Sequence, residues 1–348
     1  MARILLLGAS GYIGGSVLTT LTKSRDPLLS ECDFTVMVRQ ESHAKFFEEQ
    51  GLKPVLFSGL DDLETIEKIA AEHDIIINTG STFHTAGAKA TLAGLQKRMK
   101  STGRQTHLIQ TSGCGSLADR STSNRYYETR VFSDKNDDIY EYEKGRESLE
   151  AFPQRTTDVT VIEEGERLGV RTYIMMSPII YGLGSGAFNR ASMQIEALVR
   201  AAHRDGFVSV IGKGAGEWDY IHVDDMSSLY EMIVGAVLQG KSLPSNKRGI
   251  YFGESGHVSW RMISEHIAEV GYEMGLLSTK EVRSITLEEA AGKLFRFDAD
   301  VTELGLASRS RTRADLAREL GWKPTKTKAD FLANFRRVWE IVVQESSQ

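Results

Sequence analysis

The sequence of 348 residues has few cysteines, no excess of basic residues and no long apolar run. Its two cysteines, Cys32 and Cys114, are too few for a disulfide framework or a zinc cage. The formal net charge of −5 argues against a nucleic-acid-binding surface, which would show clustered basic residues. No apolar run approaches membrane-spanning length, and the first strand-like segment follows Met1 too closely to leave room for a signal peptide. We therefore expect a reduced, cytoplasmic protein that binds no metal, nucleic acid or membrane.

The segment Ile4–Gly14 combines an apolar run with the glycine-spaced sequence Gly-Ala-Ser-Gly-Tyr-Ile-Gly, and a helix-compatible stretch follows it. A buried strand that leads through a glycine turn into a helix makes a phosphate site, because backbone N–H groups and the positive helix end face the anion. Gly8 permits the tight turn, Gly11 lets a pyrophosphate approach the backbone, and Gly14 lets the helix pack closely on the strand. Because this turn stands where a first βαβ unit should begin, it predicts dinucleotide binding rather than a glycine loop without a ligand.

Strand-like and helix-like segments alternate along the first half of the chain at the pace of βαβ units. The continuous hydrophobicity of Ile75–Ile77 is typical of a parallel strand that is covered on both faces. The sequence therefore predicts an α/β fold of the Rossmann type, with a doubly wound parallel sheet. Strands are predicted at 3–8, Phe34–Arg39, Pro54–Phe57, Asp74–Asn78, His107–Thr111 and Arg171–Ser177, with helices between them, for example at Asp61–Glu72 and His84–Lys100.

The pattern loosens after Pro178, where glycines cluster at 182–186 and 212–216 and helices mix with short strands. We predict a dinucleotide-binding domain over residues 1–180, to which some later segments return, and a smaller substrate-binding lobe mainly over residues 181–348. The polar stretch Ala118–Asp138 predicts a surface loop. The cleft between the two lobes is the expected substrate site.

Tyr140 and Lys144 lie four residues apart in a helix-compatible segment, so their side chains are expected on one face of the helix. A nearby ammonium favours the phenolate, and Lys144 would thus lower the pKa of Tyr140 toward the working range of an acid–base catalyst. The pair follows the fifth predicted strand and its loop in a chain that opens with a dinucleotide turn. The alternative interpretation is an exposed tyrosine and lysine on a charged helix.

Together these features resemble the extended short-chain dehydrogenase/reductase family, with its NAD-dependent epimerases and dehydratases, and the resemblance covers nearly the whole chain. Ser177–Gly182 is similar to the family segment that lines the nicotinamide, and Tyr220–Asp225 and Leu320–Pro324 are similar to signatures of the C-terminal lobe. The resemblance implies that Tyr140 exchanges a proton with the substrate oxygen and that Lys144 also holds the nicotinamide ribose.

The sequence departs from the family pattern after the fifth strand. Members usually have Ser or Thr third in the polar cluster there, whereas glycine stands third in Thr111-Ser112-Gly113-Cys114. Ser112, with Thr111 as second choice, is expected to orient the substrate carbonyl through its hydroxyl, and a cap or turn role is the alternative for either. Cys114 is expected to be a small buried apolar residue rather than a nucleophile.

The end of the second strand indicates the cofactor. An acidic residue there would bind a ribose 2′-hydroxyl, whereas an arginine accommodates a 2′-phosphate. Arg39 follows Gly14 by 25 residues, so we predict NADP(H), with NAD(H) as the alternative; a solvated strand-end charge is the other interpretation of Arg39. The predicted cofactor-binding positions are Gly8, Ser10, Gly11, Tyr12, Ile13, Gly14, Arg39, Leu60, Thr79, Gly80, Thr111, Tyr140, Lys144, Pro178 and Ile180, and the predicted catalytic positions are Tyr140, Lys144 and Ser112.

Three functions fit these residues. We favour reduction of an aldehyde or ketone of a small molecule by hydride transfer from NADPH, with Tyr140 as general acid. The alternatives are a nucleotide-sugar epimerase or dehydratase with bound NAD, and a non-catalytic NAD(P)-sensing regulatory protein, which Gly113 keeps open. By the resemblance, an arginine that clamps the substrate diphosphate commonly precedes the segment beginning at Asp219, but Trp218 stands there, after Glu217. This departure favours a less charged substrate.

The expected assembly is a homodimer. Family members often dimerise through the helix that contains the Tyr/Lys pair, and Ile139, Leu149 and Phe152 offer apolar contacts for such an interface. The same residues have an alternative role against the sheet.

Overall fold

The computed structural model describes residues 1–294 and 298–346. The strands are, in chain order, β1 (Arg3–Leu7), β2 (Asp33–Val38), β3 (Lys53–Leu56), β4 (Ile75–Asn78), β5 (His107–Gly113), β6 (Val131–Ser133), β7 (Arg171–Ser177), β8 (Ile179–Tyr181), β9 (Val208–Ile211), β10 (Glu217–His222), β11 (Ile250–Phe252), β12 (Gly256–Ser259), β13 (Val282–Ile285) and β14 (Arg311–Arg313). The helices are α1 (Tyr12–Thr22), α2 (Pro27–Ser30), α3 (Glu41–Glu49), α4 (Leu63–Ala70), α5 (Thr85–Thr102), α6 (Ile139–Leu149), α7 (Pro153–Leu168), α8 (Gln194–Asp205), α9 (Val223–Leu238), α10 (Trp260–Glu273), α11 (Leu287–Ala291), α12 (Ala299–Leu306), α13 (Asp315–Glu319) and α14 (Lys328–Ser346). Two short 3₁₀ helices cover Cys114–Leu117 and Asn246–Arg248.

A seven-stranded sheet forms the centre of the protein, with the strand order β11-β7-β5-β4-β1-β2-β3 and parallel pairing throughout. Helices α4, α5 and α7 pack in one layer, and α1, α2 and α9 pack in another. Strand β4 is buried along its whole length, as its continuous isoleucines predicted. The prediction of an α/β fold with a doubly wound parallel sheet is therefore confirmed, and each predicted strand lies within two residues of an observed one.

Segments beyond residue 180 contribute to both parts of the molecule. Strand β11 pairs with β7 at the edge of the central sheet, and α9 packs on α1. The remaining lobe contains the small sheets β12-β10-β8 and β13-β9, with α8, α10 and α14 packed together beside them. Within the described residues, no helix combines the length and the apolar character that a membrane crossing requires.

The stretch predicted as a surface loop at Ala118–Asp138 is more ordered than expected. It includes β6, which pairs in parallel with β14 from the C-terminal part of the chain. Asp119, Arg120 and Glu128 within it are buried. Long-range pairing of this kind leaves no local pattern in the sequence, because the partner strand lies about 180 residues away in the chain.

The three apolar residues considered for a dimer interface do not share one exposed face. Ile139 and Phe152 are buried within the chain, and only Leu149 is exposed. Packing inside the subunit, which was the alternative role, accounts for the first two.

Candidate active site

A cavity of about 220 Å³ lies at the carboxyl edge of the central sheet, where it meets the C-terminal lobe. Ligands of open α/β sheets bind at this edge. The lining is mostly apolar, and none of the described residues that form it is charged. The lining residues are Tyr12, Ile13, Thr82, Phe83, Thr111, Ser112, Gly113, Cys114, Gly115, Phe152, Gln154, Ser177, Pro178, Ile180, Met193, Gln194, Trp218, Val301, Leu304 and Gly305.

The glycine turn is tightly packed between β1, α1 and the residue after β4. Gly8 has a φ of +88°, a conformation that favours glycine. A Cβ at Gly14 would lie 2.2 Å from the Gly8 carbonyl oxygen and 2.3 Å from Thr79 Oγ1. The Gly11 N–H donates to the Gly8 carbonyl oxygen at 2.8 Å, and Gly11 precedes the first residue of α1. The turn therefore has no room for side chains at Gly8 and Gly14.

Other predicted cofactor positions lie around this turn. Thr79 Oγ1 donates to the Leu7 carbonyl oxygen at 2.6 Å, and a Cβ on Gly80 would lie 3.5 Å from Leu60 Cδ2. Tyr12 donates its hydroxyl proton to the Gly182 carbonyl oxygen at 2.7 Å. The backbone carbonyl of Ser10 accepts from Asn189, while Arg39 is exposed directly after β2. Tyr12, Ile13, Thr111, Pro178 and Ile180 also line the cavity.

Tyr140 and Lys144 lie outside the cavity, which differs from the expectation for a catalytic pair. Helix α6, which carries them, packs on α7 and on the 3₁₀ helix at Asn246–Arg248. Glu163 accepts hydrogen bonds from the Tyr140 hydroxyl and from Lys144 Nζ, both at 2.8 Å. Burial and the Glu163 carboxylate raise the pKa of Tyr140, although Lys144 opposes them at 3.2 Å. The expected lowering of the Tyr140 pKa is therefore wrong, because the sequence does not show that Glu163, 23 residues further along the chain, contacts the Tyr140 hydroxyl.

Helix α7, which leads into β7, places a different pair at the cavity side of the sheet. Gln154 and Asp158 have the same four-residue spacing, and Gln154 lines the cavity. The Gln154 side-chain amide pairs with the backbone of Gly113, donating to its carbonyl oxygen at 3.1 Å and accepting from its N–H at 3.2 Å. In either orientation of the amide, a Cβ at Gly113 would lie 3.0 Å from an atom at the end of the Gln154 side chain. The glycine that departs from the family pattern is thus matched to Gln154.

Gln154 and Asp158 are not among the residues predicted from the sequence, although the sequence contains a signal for the helix that carries them. The helix that enters β7 is the crossover helix between β5 and β7, and a crossover helix packs on the sheet. Pro153 starts this helix, and Gly169 ends it in the left-handed conformation, two residues before β7. These boundary residues mark α7, rather than α6, as the helix against the sheet.

The hydroxyl groups after β5 are bound to buried partners. Ser112 Oγ donates to Asp158 Oδ2 at 2.5 Å, and Thr111 Oγ1 shares a hydrogen bond of 2.6 Å with the Tyr230 hydroxyl. Asp158 is fully buried, and burial raises its pKa. Of the three predicted catalytic residues, the structure thus brings Ser112 alone to the cavity, where a buried carboxyl group contacts it.

Cys114, Trp218 and His222 are explained by burial or by hydrogen bonds within the fold. Cys114 lines the cavity but is fully buried, and burial raises the pKa of its thiol well above the usual value. Trp218 also lines the cavity, with its indole N–H donating to Ser308 Oγ at 3.1 Å. His222 caps α9 by accepting from the Asp224 N–H. Across residues 1–294 and 298–346, no three His, Cys, Asp or Glu side chains are grouped to hold a metal ion.

Comparisons with solved structures show the same fold. A dTDP-glucose 4,6-dehydratase, DesIV from Streptomyces venezuelae with NAD and TYD bound, has a TM-score of 0.65 at 15% identity and covers 97% of both chains. A UDP-glucose 4-epimerase from Thermus thermophilus in complex with NAD has a TM-score of 0.61 at 15% identity, covering 98% of this chain and 99% of its own.

Comparisons of sequence add two relatives and a family. "Oxidase ucsJ" from an Acremonium species is 26% identical over 340 residues, 92% of either chain. "Uncharacterized protein YLL056C" from Saccharomyces cerevisiae is 25% identical over 334 residues, which cover 92% of this chain and 94% of the relative. The model of the NAD dependent epimerase/dehydratase family matches residues 4–243, more than half of the sequence. The chain therefore belongs to the NAD dependent epimerase/dehydratase family.

Proposed function

We propose that the chain is an NADP(H)-dependent oxidoreductase that reduces an aldehyde or ketone of a small, largely apolar molecule. The observation that carries the proposal is the uncharged cavity beside the glycine turn, with Ser112 among its lining residues. A hydroxyl group in an apolar cavity can orient a carbonyl oxygen and supply its proton. The family and the cavity together support hydride transfer at this position.

The residues around the glycine turn fit a dinucleotide. Gly8 and Gly14 leave a backbone surface that a Cβ would fill, and α1 begins directly after Gly11. Two neighbours in fold, the dehydratase DesIV and the Thermus thermophilus epimerase, were solved with NAD. When bound, a reduced nicotinamide would supply the hydride, and Pro178 and Ile180, which line the cavity, would contact it.

Arg39 supports the choice of NADP(H). It is exposed at the carboxyl end of β2 and forms no ion pair with another described residue. An unpaired guanidinium at this strand end suits a 2′-phosphate, which it can bind through two parallel hydrogen bonds.

The cavity argues for an uncharged substrate. Trp218, Phe83, Phe152 and Leu304 contribute large apolar surfaces to it, and the described lining residues include no lysine or arginine. A nucleotide-sugar diphosphate would have no cationic partner there. For this reason we place the nucleotide-sugar epimerase or dehydratase below the reductase.

A second candidate function is a dinucleotide sensor that regulates a partner without turnover. One observation favours it, namely that the Tyr140 hydroxyl and Lys144 are bound to Glu163 outside the cavity. In this case the protein would bind the dinucleotide but turn over no carbonyl compound.

The primary test follows NADPH absorbance with a panel of apolar aldehydes and ketones, with UDP-sugars and NADH in parallel. We expect loss of NADPH with a carbonyl compound and a kcat about 100-fold lower in Ser112→Ala, the range that a positioned proton donor contributes. Binding of NADPH without turnover of any compound would instead support the sensor. Turnover of UDP-sugars without net loss of NADPH would support the epimerase.

The cofactor preference is tested with Arg39→Gln. We expect about tenfold weaker NADPH binding and unchanged NADH binding, since tenfold corresponds to about 1.4 kcal/mol. Lys45→Gln, which removes an exposed positive charge from the next helix, is the matched control. Equal affinity of the wild type for NADPH and NADH would contradict the preference.

A further inference from the structure

Two fully buried carboxyl groups, Asp158 of α7 and Glu143 of α6, lie behind Ser112 and are named here the carboxyl pair. Asp158 Oδ2 accepts from the hydroxyl groups of Ser112 at 2.5 Å and of Ser116 at 3.1 Å. Asp158 Oδ1 and both Glu143 carboxyl oxygens have no hydrogen-bond donor among the described residues. Unpaired buried acceptors are costly, so this cluster requires a donor.

A proton held between the two carboxyl groups meets this requirement. The two side chains lie close enough for each to affect the pKa of the other. Burial raises the pKa of both groups, and the Asp158 carboxylate raises that of Glu143 further. Two buried acids that face each other cannot both ionise at neutral pH without a large cost. The carboxyl pair therefore holds at least one proton at neutral pH.

The charged groups around the carboxyl pair do not remove its proton at neutral pH. The Arg155 guanidinium lowers the pKa of both acids, but it also contacts Glu147 at 3.3 Å and donates to the Ser116 carbonyl oxygen at 2.9 Å. Arg146 lies close to Arg155 and is paired with Glu150. The remaining titratable neighbour, the buried Cys114 thiol, has a pKa well above its usual value and stays neutral.

Resting on the proposed function, we propose that the carboxyl pair acts through Ser112 as the acid–base relay of the cavity. When bound, a reduced dinucleotide would supply a hydride, and with it two electrons, to the carbonyl carbon as the C=O π bond breaks. Ser112 gives its hydroxyl proton to the substrate oxygen, Asp158 returns a proton to Ser112 Oγ, and Glu143 passes its proton to Asp158. The carboxyl pair regains one proton from solvent before the next turnover.

In this relay Ser112 is the catalytic residue, because it lines the cavity, whereas Asp158 and Glu143 do not. Asp158 and Glu143 are positioning residues that hold and deliver the proton. The relay gives a function to two buried acids that otherwise only reduce the stability of the fold. Burying each carboxyl group costs desolvation free energy, and neither forms an ion pair with a described cation.

The proton is tested by infrared spectroscopy of the full-length protein at neutral pH. We expect a carboxylic-acid C=O band in the wild type that loses intensity in Glu143→Gln, because Glu143, whose pKa burial and Asp158 both raise, carries the proton of the pair. The matched control, Asp225→Asn, alters a buried carboxyl group elsewhere in the chain and should keep the full band. Absence of the band from the wild type, or an unchanged band in Glu143→Gln, would overturn the shared proton.

The relay is tested by the pH dependence of kcat for carbonyl reduction. In the wild type, kcat should fall as pH rises and the carboxyl pair loses its proton. Glu143→Gln should lower kcat about 100-fold and move this fall to lower pH, with unchanged NADPH affinity. A purely structural role would change thermal stability and leave the pH profile where it is. Asp158→Asn is the second variant, and folding of both is checked through NADPH binding.

The outcomes separate the relay from the proposed function. If the wild type reduces carbonyl compounds and the variants keep its kcat and pH profile, the relay alone is overturned. If the wild type binds NADPH, shows the infrared band and reduces none of the carbonyl compounds, the proposed function fails and the relay's catalytic role fails with it.

Discussion

At the scale of single residues, the glycine turn and the polar cluster after β5 differ in how far the sequence determines them. Contacts within the turn itself require glycine at positions 8 and 14, and such contacts recur in every dinucleotide-binding turn of this type. The close approach of Gly14 to the Gly8 carbonyl group and to Thr79 is an example. Glycine at position 113 is instead explained by Gln154, 41 residues further along the chain, whose side-chain amide covers the Gly113 backbone. A sequence shows that a glycine is present but does not show which distant side chain requires it.

Tyr140 is the residue at which expectation and structure diverge most. Its hydroxyl donates to Glu163, and neither residue lines the cavity, so we expect Tyr140→Phe to keep the kcat of the wild type for carbonyl reduction. Loss of this hydrogen bond to a carboxylate should lower the free energy of unfolding by about 1.5 kcal/mol. Steady-state kinetics and urea unfolding of the variant measure both quantities.

Ser112→Ala is the comparison for Tyr140→Phe, because it removes a hydroxyl group that does line the cavity. The proposed function requires the serine variant to lose turnover and the tyrosine variant to keep it. The reverse result would return the acid role to Tyr140 and would mean that α6 approaches the cofactor in the working enzyme.

At the scale of elements, strands were predicted better than the choice between neighbouring helices. Inner strands of the parallel sheet such as β1 and β4 are buried along nearly their whole length, so their apolar runs are continuous and their ends are easy to recognise. Helices α6 and α7 have similar polar compositions, and the Tyr/Lys spacing favoured the former. What distinguishes the two helices is their place in the fold, since only α7 leads directly into β7. The spacing of residues within one helix does not show which strand that helix leads into.

The two C-terminal signatures singled out in the sequence contact each other in the structure. Asp225 accepts from the Thr325 N–H at 2.8 Å, the Thr325 hydroxyl at 2.9 Å and the Lys326 N–H at 3.0 Å. The Trp322 indole N–H donates to the Asp225 carbonyl oxygen at 3.2 Å. The start of α9 is thereby joined to the segment before α14, which explains why both segments are present.

We expect Asp225→Asn to lower the free energy of unfolding by about 2–3 kcal/mol, because a buried carboxylate that accepts three hydrogen bonds becomes an amide. NADPH affinity should be unchanged, since Asp225 does not line the cavity. Urea unfolding and NADPH titration measure the two effects. Asp224→Asn is the control because its side chain is half exposed, and an equal loss of stability there would contradict the assignment.

At the scale of the whole molecule, the cavity depends on contacts that no single segment specifies. Its sheet side comes from the glycine turn and the ends of β5 and β7, whereas Trp218, Val301 and Leu304 close it from the C-terminal lobe. The sequence could predict a site between lobes from the order of the elements. It could not predict the side of α12 that faces the cavity, because that orientation is set by ion pairs with the stretch after β5.

Glu303 is the centre of these ion pairs and leads to a prediction for the lobe. It is fully buried on α12, accepts from the Ser123 N–H at 2.7 Å and hydroxyl at 2.8 Å, and lies 3.6 Å from Arg120. Glu303→Gln removes this anion, but Arg120 keeps Glu150 at 2.8 Å and Asp300 at 3.3 Å, so we expect the free energy of unfolding to fall by about 1–3 kcal/mol. We expect α12 to loosen and the KM for the carbonyl substrate to rise more than kcat falls, because Val301 and Leu304 hold substrate rather than react.

Hydrogen exchange measured by mass spectrometry over residues 299–306, together with steady-state kinetics, checks this prediction. Asp300→Asn is the comparison on the same helix, because it removes the 57% exposed partner of Arg120 and leaves the buried Glu303 in place. Exchange in α12 should accelerate in Glu303→Gln and accelerate less in Asp300→Asn. Equal exchange in the wild type and Glu303→Gln would mean that apolar packing alone attaches α12, and that the cavity keeps its shape without the buried ion pair.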